Sequence, residues 1–362
     1  MSQRDAMPEL AVPTALRRPG ANAASGMPSA RPLAVWLLLC CGMIVVMVVL
    51  GGVTRLTLSG LSITEWQPVS GIVPPLSHRE WLAEFDKYRL IPQYRLLNAG
   101  MSLADFKTIF LWEYAHRLWG RLIGVAYALP FAYFLFRRQV PRRLILPLAG
   151  ILLLGFAQGA LGWYMVESGL ANRVEVSQYR LVAHLALALL IYAATLWVAL
   201  GLLAGPADRT VVRGWRHAGE AMIGLVAMTI AAGGFVAGLQ AGLTYNTFPL
   251  MDGSFVPAGY AQLHPFARNW FENIAAVQFD HRLLAMTTVG SVLILWLAGW
   301  RSALPGPARL ALHAMMAVAA MQFALGVATL LLVVPIPLAA AHQAGAVLLL
   351  TAAIVFRHRL RN

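Results

Sequence analysis

Eight long apolar runs divide this 362-residue chain, and they constrain its fold more than any other feature. Each run is close to the length of about 20 residues that an α-helix needs to cross a bilayer. We therefore predict an all-α fold, a polytopic membrane protein whose eight transmembrane helices contact the lipid bilayer. The predicted helices cover residues 33–53, 109–136, 144–164, 180–204, 218–240, 278–300, 307–332 and 338–356.

The composition supports a membrane protein. Hydrophobic residues make up 59% of the chain and charged residues only 12%, whereas about a quarter of the residues in soluble globular proteins are charged. The net charge of +13 could suggest a nucleic-acid-binding protein. However, the positive residues are divided between the apolar runs instead of gathering in one domain, so no nucleic-acid partner is expected.

The basic residues predict how the chain is oriented in the membrane. The two termini and three short connections, 137–143, 207–216 and 301–309, together hold 16 Lys and Arg but only three acids. Positive residues collect on the cytoplasmic side. We therefore expect both termini in the cytoplasm and two long outer loops, at about 54–108 and 241–277. The acids in the N-terminal tail argue against a mitochondrial transit peptide and favour a bacterial inner membrane.

The second half of the chain repeats the first. "GGVTRLTLSGLS" at 51–62 resembles "GGFVAGLQAGLT" at 233–244, and "RLVAHLALALL" at 180–190 matches "AAAHQAGAVLLL" at 339–350. Four helices per unit give both halves the same orientation, so a pseudo-twofold axis along the membrane normal should relate two four-helix bundles. The predicted units are a disordered cytoplasmic tail (1–32), an N-terminal bundle (33–204), a cytoplasmic linker (205–217), a C-terminal bundle (218–356) and a basic cytoplasmic tail (357–362).

Four histidines, His116, His184, His281 and His342, lie near the starts of the second, fourth, sixth and eighth predicted helices. Even-numbered helices begin outside, so all four imidazoles should lie at a similar depth. Helices in a bundle are about 8–10 Å apart, and more across a diagonal, which leaves space for a flat iron macrocycle between two imidazoles. The pattern predicts two bis-histidine haem sites, His116 with His184 and His281 with His342.

The four histidines could instead bond the backbone, bind zinc or belong to a di-iron site. Any one imidazole could simply bond a neighbouring backbone group, but four at matched depth favour a shared role. A zinc site would need further Cys, Asp or His ligands. A di-iron carboxylate site would need Glu-x-x-His on two helices; Glu113 precedes His116 at this spacing, but Gln278 replaces the glutamate in the second half.

Charged residues near the histidines suggest how a haem could be held. Arg117 and Arg282 directly follow the first histidine of each pair, and guanidinium groups bind carboxylates in two-pronged fashion. We expect both to bind haem propionates. Arg55 and Arg180 could join them, or could simply reach the membrane surface.

The first outer loop is rich in Gly, Pro and Trp, which predicts an ordered, folded-back segment beside the first histidine pair. Its carboxylate Glu65 could act as a general base or stabilise a developing cation, or could be a surface acid. The second outer loop, "TYNTFPLMDGSFVP", has no equivalent glutamate. Two similar cavities with different loops over them indicate two different occupants.

The stretches "GGVTRLTLSGLSITEWQPVSGIVPP", "EYAHRLWGR", "TYNTFPLMDG", "FDHRLLA" and "AAAHQAG" resemble the haem A synthase family, in the branch that alphaproteobacteria share with mitochondria. The resemblance covers about residues 33–356. Another branch has a cysteine pair in the first outer loop, next to a functional glutamate. This chain has no cysteine there, and Glu65 is the nearest candidate for that glutamate.

The resemblance implies an enzyme that oxidises the C8 methyl group of haem O to a formyl group by successive hydroxylation. It also implies that His281 and His342 are axial ligands of a permanent haem b, which relays electrons, and that His116 and His184 flank the substrate haem O. Haem O synthase, the upstream farnesyltransferase, and an electron acceptor would be partners. The sequence leaves the oligomeric state open.

Two other classes of protein fit part of the sequence. A di-haem b-type electron-transfer membrane protein would use the same four histidines but hold two permanent, similar haems. A transporter built from repeats would need broken helices and polar groups at mid-membrane, whereas the ionisable groups here collect near the outer edge. The dissimilar outer loops favour the enzyme over the electron-transfer protein.

Overall fold

A computed structural model describes residues 30–67, 70–172, 174–204 and 213–361. This part of the chain contains eight helices that are long and apolar enough to cross a membrane, one for each predicted run. The predicted all-α multi-pass fold is confirmed, and the described residues contain no β-strand beyond an isolated bridge. The helices are α1 (Arg31–Leu56), α2 (Leu103–Phe136), α3 (Arg142–Asn172), α4 (Gln178–Leu203), α5 (Arg213–Gly238), α6 (Ile274–Trp300), α7 (Gly306–Leu331) and α8 (Ile336–Arg359).

Several helices are longer than the predicted apolar runs, because they also include the polar residues that flank those runs. The side chain of Ser102 accepts a hydrogen bond from the Asp105 amide and starts α2 six residues before the predicted start. Asn273 starts α6 in the same way, as expected for N-cap residues. The helices therefore take in the ends of the predicted tails and linker, 31–32, 213–217 and 357–359. The rest of the N-terminal tail up to residue 29, and positions 205–212 of the linker, lie outside the described residues.

Helix contacts follow the internal repeat. In the first half α1 contacts α2 and α4, and α3 contacts the same two helices; α5 to α8 make the corresponding contacts in the second half. The halves meet where α4 lies against α5 and α1 lies against α8. This pattern fits two four-helix bundles related by a pseudo-twofold axis, because each interface between the halves has a counterpart.

Glycines allow close approach at these interfaces between the halves. Gly52 of α1 faces Gln343 of α8, whose side-chain amide donates to the Val48 carbonyl at 3.0 Å. Gly234 of α5, which matches Gly52 in the repeat, lies against Val182 of α4. A β-carbon at either position would overlap its neighbour. Small residues are typical of closely packed membrane helices.

In its described residues, the first outer loop folds back onto α2. It contains a helix at His78–Arg89, which a capping box of Ser77 and Glu80 begins, and a short helix at Pro92–Leu96. Phe85 and Tyr88 from the longer helix are buried against Phe106 at the start of α2. A separate apolar cluster therefore fixes this loop over the outer end of the first half.

Candidate functional site

Each of the four histidines lies against a glycine on the preceding membrane helix. A β-carbon at any of these glycines would come within 3.2 Å of the facing imidazole, closer than nearly all real contacts. The glycines thus leave each ring room that a larger residue would remove. The contacts are His116 with Gly51, His184 with Gly162, His281 with Gly233 and His342 with Gly326.

The glycine contacts repeat between the halves. Gly51 and Gly233 open the matched stretches "GGVTRL" and "GGFVAG", while Gly162 and Gly326 end the matched "AQGALG" and "MQFALG". These stretches match in the sequence, but no role was predicted for their glycines. The signal was present, since a glycine in an apolar helix at a repeated position indicates a close approach.

His116 and His184 lie on α2 and α4 of the first half, and His281 and His342 lie on α6 and α8 of the second half. Three of the rings also show how they could bind a metal. The Nδ1 atom of His281 lies 3.2 Å from the Thr229 carbonyl. Because a carbonyl oxygen only accepts, Nδ1 carries the proton and Nε2 keeps its lone pair. The Nδ1 atoms of His184 and His342 are buried without a hydrogen-bond partner.

In each half, one glutamine bonds the last membrane helix beside its histidine ring. The side-chain amide of Gln158 in α3 donates to the His184 carbonyl at 3.0 Å, and that of Gln322 in α7 donates to the His342 carbonyl at 2.8 Å. The two glutamines match in the repeat. The sequence alone did not predict a role for them, although both are polar residues in otherwise apolar runs.

In the described residues, no group of three or more His, Cys, Asp or Glu side chains could hold a metal ion. A zinc or di-iron site would need such a group. A haem needs at most two axial ligands from the protein, because the porphyrin supplies the rest. Imidazoles with a glycine at each ring, and with a buried and unpartnered Nδ1 atom at His184 and His342, fit that donor set.

The two arginines that follow the first histidine of each pair bind the outer loops. Arg117 donates to the Ile63 and Glu65 carbonyls at 2.9 and 3.1 Å. Arg282 donates to the Tyr245 carbonyl at 2.5 Å and to the Thr247 carbonyl at 2.8 Å. These carbonyls are at matching positions of the repeat. Each arginine therefore holds the loop over its own histidine pair, and a contact with haem propionates stays a prediction.

The halves differ at one buried position beside these arginines. Glu113 is only 2% exposed, and its carboxylate accepts from Arg117 at 2.6 Å and from the Ile63 amide at 2.8 Å. Gln278 takes its place in the second half and donates to the Tyr245 carbonyl at 3.3 Å. The first half thus has a buried carboxylate one helical turn before its first histidine, where the second half has a neutral amide.

Glu65, the predicted catalytic carboxylate, lies farther out. Its side chain is 47% exposed and pairs with Lys87 at 3.0 Å, and the hydrogen bond from Lys87 lowers the pKa of the carboxyl group. Glu65 lines a cavity of about 10 Å³ with Arg117, Trp66 and Glu167, room for about one water molecule. The structure therefore places Glu65 at the outer mouth of the first site.

Arg55 and Arg180 have other partners. Arg55 pairs with Glu175 at 2.6 Å and donates to the Gly238 carbonyl of the second half at 3.1 Å. Arg180 stacks on the Tyr164 ring at 3.7 Å and donates to the Tyr164 carbonyl and hydroxyl. Arg55 therefore joins the two halves at their outer ends.

Fold and site together define a class of multi-pass helical membrane protein in which a histidine faces a glycine at repeated positions of its two halves. The sequence model of the family described as cytochrome oxidase assembly protein, COX15-CtaA, matches residues 34–354. The chain therefore belongs to this family.

Its relatives are similar over most of their length. The chain is 55% identical to a heme A synthase of Nitrosospira multiformis, with 92% of this chain and 94% of the relative covered. It is 51% identical to a heme A synthase of Rhodospirillum centenum, with 95% and 92% covered. It is 45% identical to heme A synthase COX15 of Mus musculus, with 92% and 83% covered.

Proposed function

We infer that this protein is a haem A synthase, an oxidoreductase that converts haem O to haem A. Two findings support this function: the chain belongs to the family, and it is similar to heme A synthases over 92% of its length. The four histidines at repeated positions, of which only the N-terminal pair lies beside a buried carboxylate, support a division of labour between the halves. The N-terminal site, His116 with His184, binds the substrate haem O. The C-terminal site, His281 with His342, binds a haem b.

The haem b, when bound, supplies an outlet for the electrons that leave the substrate methyl group. The chain's own residues do the rest. Gly233 and Gly326 leave room for the rings of His281 and His342, which would hold the haem, and the bond to Thr229 keeps Nε2 of His281 free. Second-shell bonds of this kind orient metal-binding histidines.

In the N-terminal half the residues position substrate and exclude water. Arg117 holds residues 63–65 of the outer loop against α2, and this covers the site. Buried Glu113, one turn from His116, is the carboxylate best placed to accept a proton from the substrate edge or to stabilise a developing cation. Glu65 is the alternative, and its exposure and its ion pair with Lys87 make it the weaker candidate.

The protein is a multi-pass membrane protein. We propose that it lies in a bacterial inner membrane with both termini in the cytoplasm, since the basic connections lie at the ends of the helices opposite the histidines. Haem O synthase and an electron acceptor are its expected partners. Lateral access from the bilayer suits a substrate with an isoprenoid tail.

Conversion of haem O by the purified protein tests the proposal. The protein in lipid nanodiscs is given haem O, and extracted pigments are separated by chromatography and identified by mass. We expect haem A and its hydroxylated precursors from the intact protein, with haem b retained, and none from His116→Ala. Two haem b molecules per chain and no conversion would instead identify a di-haem electron carrier.

A further inference from the structure

An apolar groove runs between α3 and α4 below the N-terminal histidine pair. Its volume is about 560 Å³, within the range of roughly 300–1,000 Å³ for pockets that bury small-molecule ligands. The lining is apolar apart from one indole N–H. It consists of Pro147, Gly150, Ile151, Leu153, Leu154, Ala194, Trp197 and Val198.

The groove is continuous with the seam that holds His184. Leu154, Gln158 and Gly162 follow one another at four-residue spacing on α3, so they lie along one side of that helix. Gln158 bonds the His184 carbonyl and Gly162 faces its ring. The lining therefore begins one helical turn below the contacts of His184 and continues for about 10 Å along α3, to Pro147.

The second half fills the corresponding space with side chains. In the repeat, Ile151 matches Met315 and Val198 matches Phe356. Met315 and Phe356 are both 0% exposed, and α7 contacts α8 more extensively than α3 contacts α4. The closer packing of α7 against α8 indicates that the two ligands differ in this region.

The groove opens to the bilayer, and Trp197 lies at its cytoplasmic end. Leu153 is 69% exposed on its rim. At the other end, the Trp197 ring lies 5.0 Å from the His358 ring and 5.8 Å from the Arg357 guanidinium. An apolar chain could thus slide in sideways from the lipid and end at Trp197.

We propose that this groove binds the isoprenoid tail of haem O, an inference that rests on the proposed function. The tail is the bulky apolar group that distinguishes haem O from haem b, and it lies on the edge of the macrocycle away from the propionates. With the propionates toward the outer surface, the tail points down the α3–α4 seam. Bound in this way, it selects haem O for the N-terminal site and sets which edge of the ring meets Glu113.

The test compares haem O with tail-less haem B in variants that fill the groove. A β-carbon added at Gly150 meets no atom within 4 Å, so Gly150→Leu should fold and occupy the groove. Gly155→Leu, on the same helix but outside the lining and equally unobstructed, is the matched control. Val198→Phe, which copies Phe356, is a second way to fill it. Dissociation constants are measured by absorbance titration in nanodiscs.

We expect Gly150→Leu and Val198→Phe to weaken haem O binding by about tenfold or more, because the tail loses its buried apolar contacts. Haem B binding should change by less than about twofold, so the affinity for haem B relative to haem O rises about tenfold. Gly155→Leu should bind both haems like the unaltered protein.

Equal haem O binding by Gly150→Leu and Gly155→Leu would overturn the proposal, as would equal loss of both haems. Loss of a co-purified acyl chain from Gly150→Leu, detected by mass spectrometry with haem O affinity unchanged, would assign the groove to lipid and also overturn it. Failure of the unaltered protein to convert haem O would overturn the proposed function itself, which is a separate result.

Discussion

At the scale of single residues, the buried carboxylate beside the first histidine pair distinguishes the halves most clearly. Glu113 has Arg117 and a backbone amide as partners, whereas Glu65 is half exposed and pairs with Lys87. We expect Glu113→Gln to lower the rate of haem O conversion by about 10²-fold or more, as removal of a catalytic acid–base group does. Single-turnover assays of purified protein check this.

Glu65→Gln is the comparison for that change. It removes only a surface ion pair, worth about 0–1 kcal/mol, and should lower the rate by less than about threefold. A larger loss from Glu65→Gln than from Glu113→Gln would restore Glu65 as the catalytic carboxylate. The carboxylate at position 113 was hard to assign from sequence, because its burial depends on how the outer loop folds onto α2.

The histidines make a second prediction at this scale. His281→Ala or His342→Ala should remove the low-spin haem b absorption, because the C-terminal site loses an axial ligand. His116→Ala or His184→Ala should stop conversion while the haem b spectrum remains. An unchanged haem b spectrum in both C-terminal variants, measured on purified protein, would contradict the assignment of the two sites.

At the scale of helices, the glycines opposite the histidines set the distance between neighbouring helices. A β-carbon at Gly326 would lie 2.8 Å from the His342 ring and one at Gly162 would lie 3.0 Å from the His184 ring. Gly326→Ala should therefore displace His342 and shift or weaken the haem b absorption. Gly162→Ala should weaken haem O binding at the other site by about tenfold.

Each of these changes has a control within a membrane helix. A β-carbon at Gly159 of α3 or Gly290 of α6 meets no atom within 4 Å. Gly159→Ala and Gly290→Ala should leave both haem signals as they are and slightly favour the helix, since alanine has the higher helix propensity. Equal effects at Gly326 and Gly290 would mean that the close approach to the ring does not matter.

The helices themselves could be predicted from sequence, since 20-residue apolar runs and a four-helix repeat depend only on local composition. The histidine positions followed because each lies at a fixed place in that repeat. The interactions of Arg117 and Arg282 could not be predicted, because the carbonyls that they bind come from loops whose path no periodicity records. The α3–α4 groove was equally hidden, since it arises from the sizes of residues on two facing helices.

At the scale of the whole molecule, the outer ends of the halves are joined by a charged contact. Arg55 and Glu175 pair at 2.6 Å with side chains only 11% and 24% exposed. Arg55 also bonds the Gly238 carbonyl, and Gln240 donates to Glu175. Residues of the first half therefore bond the end of α5 and the loop that follows it, and this contact holds the outer ends of the two halves together.

Glu175→Gln should leave the Arg55 charge largely buried without a carboxylate partner. We expect a loss of about 1–3 kcal/mol in stability, measured as a lower midpoint of thermal unfolding in detergent. Electron transfer between the halves should also slow if they move apart. Asp86→Asn is the matched control, because it breaks the Arg89–Asp86 pair within the first outer loop, whose side chains are 46% and 65% exposed, and should cost less than about 1 kcal/mol. Equal midpoints for the two variants would show that Arg55 and Glu175 do not hold the halves together.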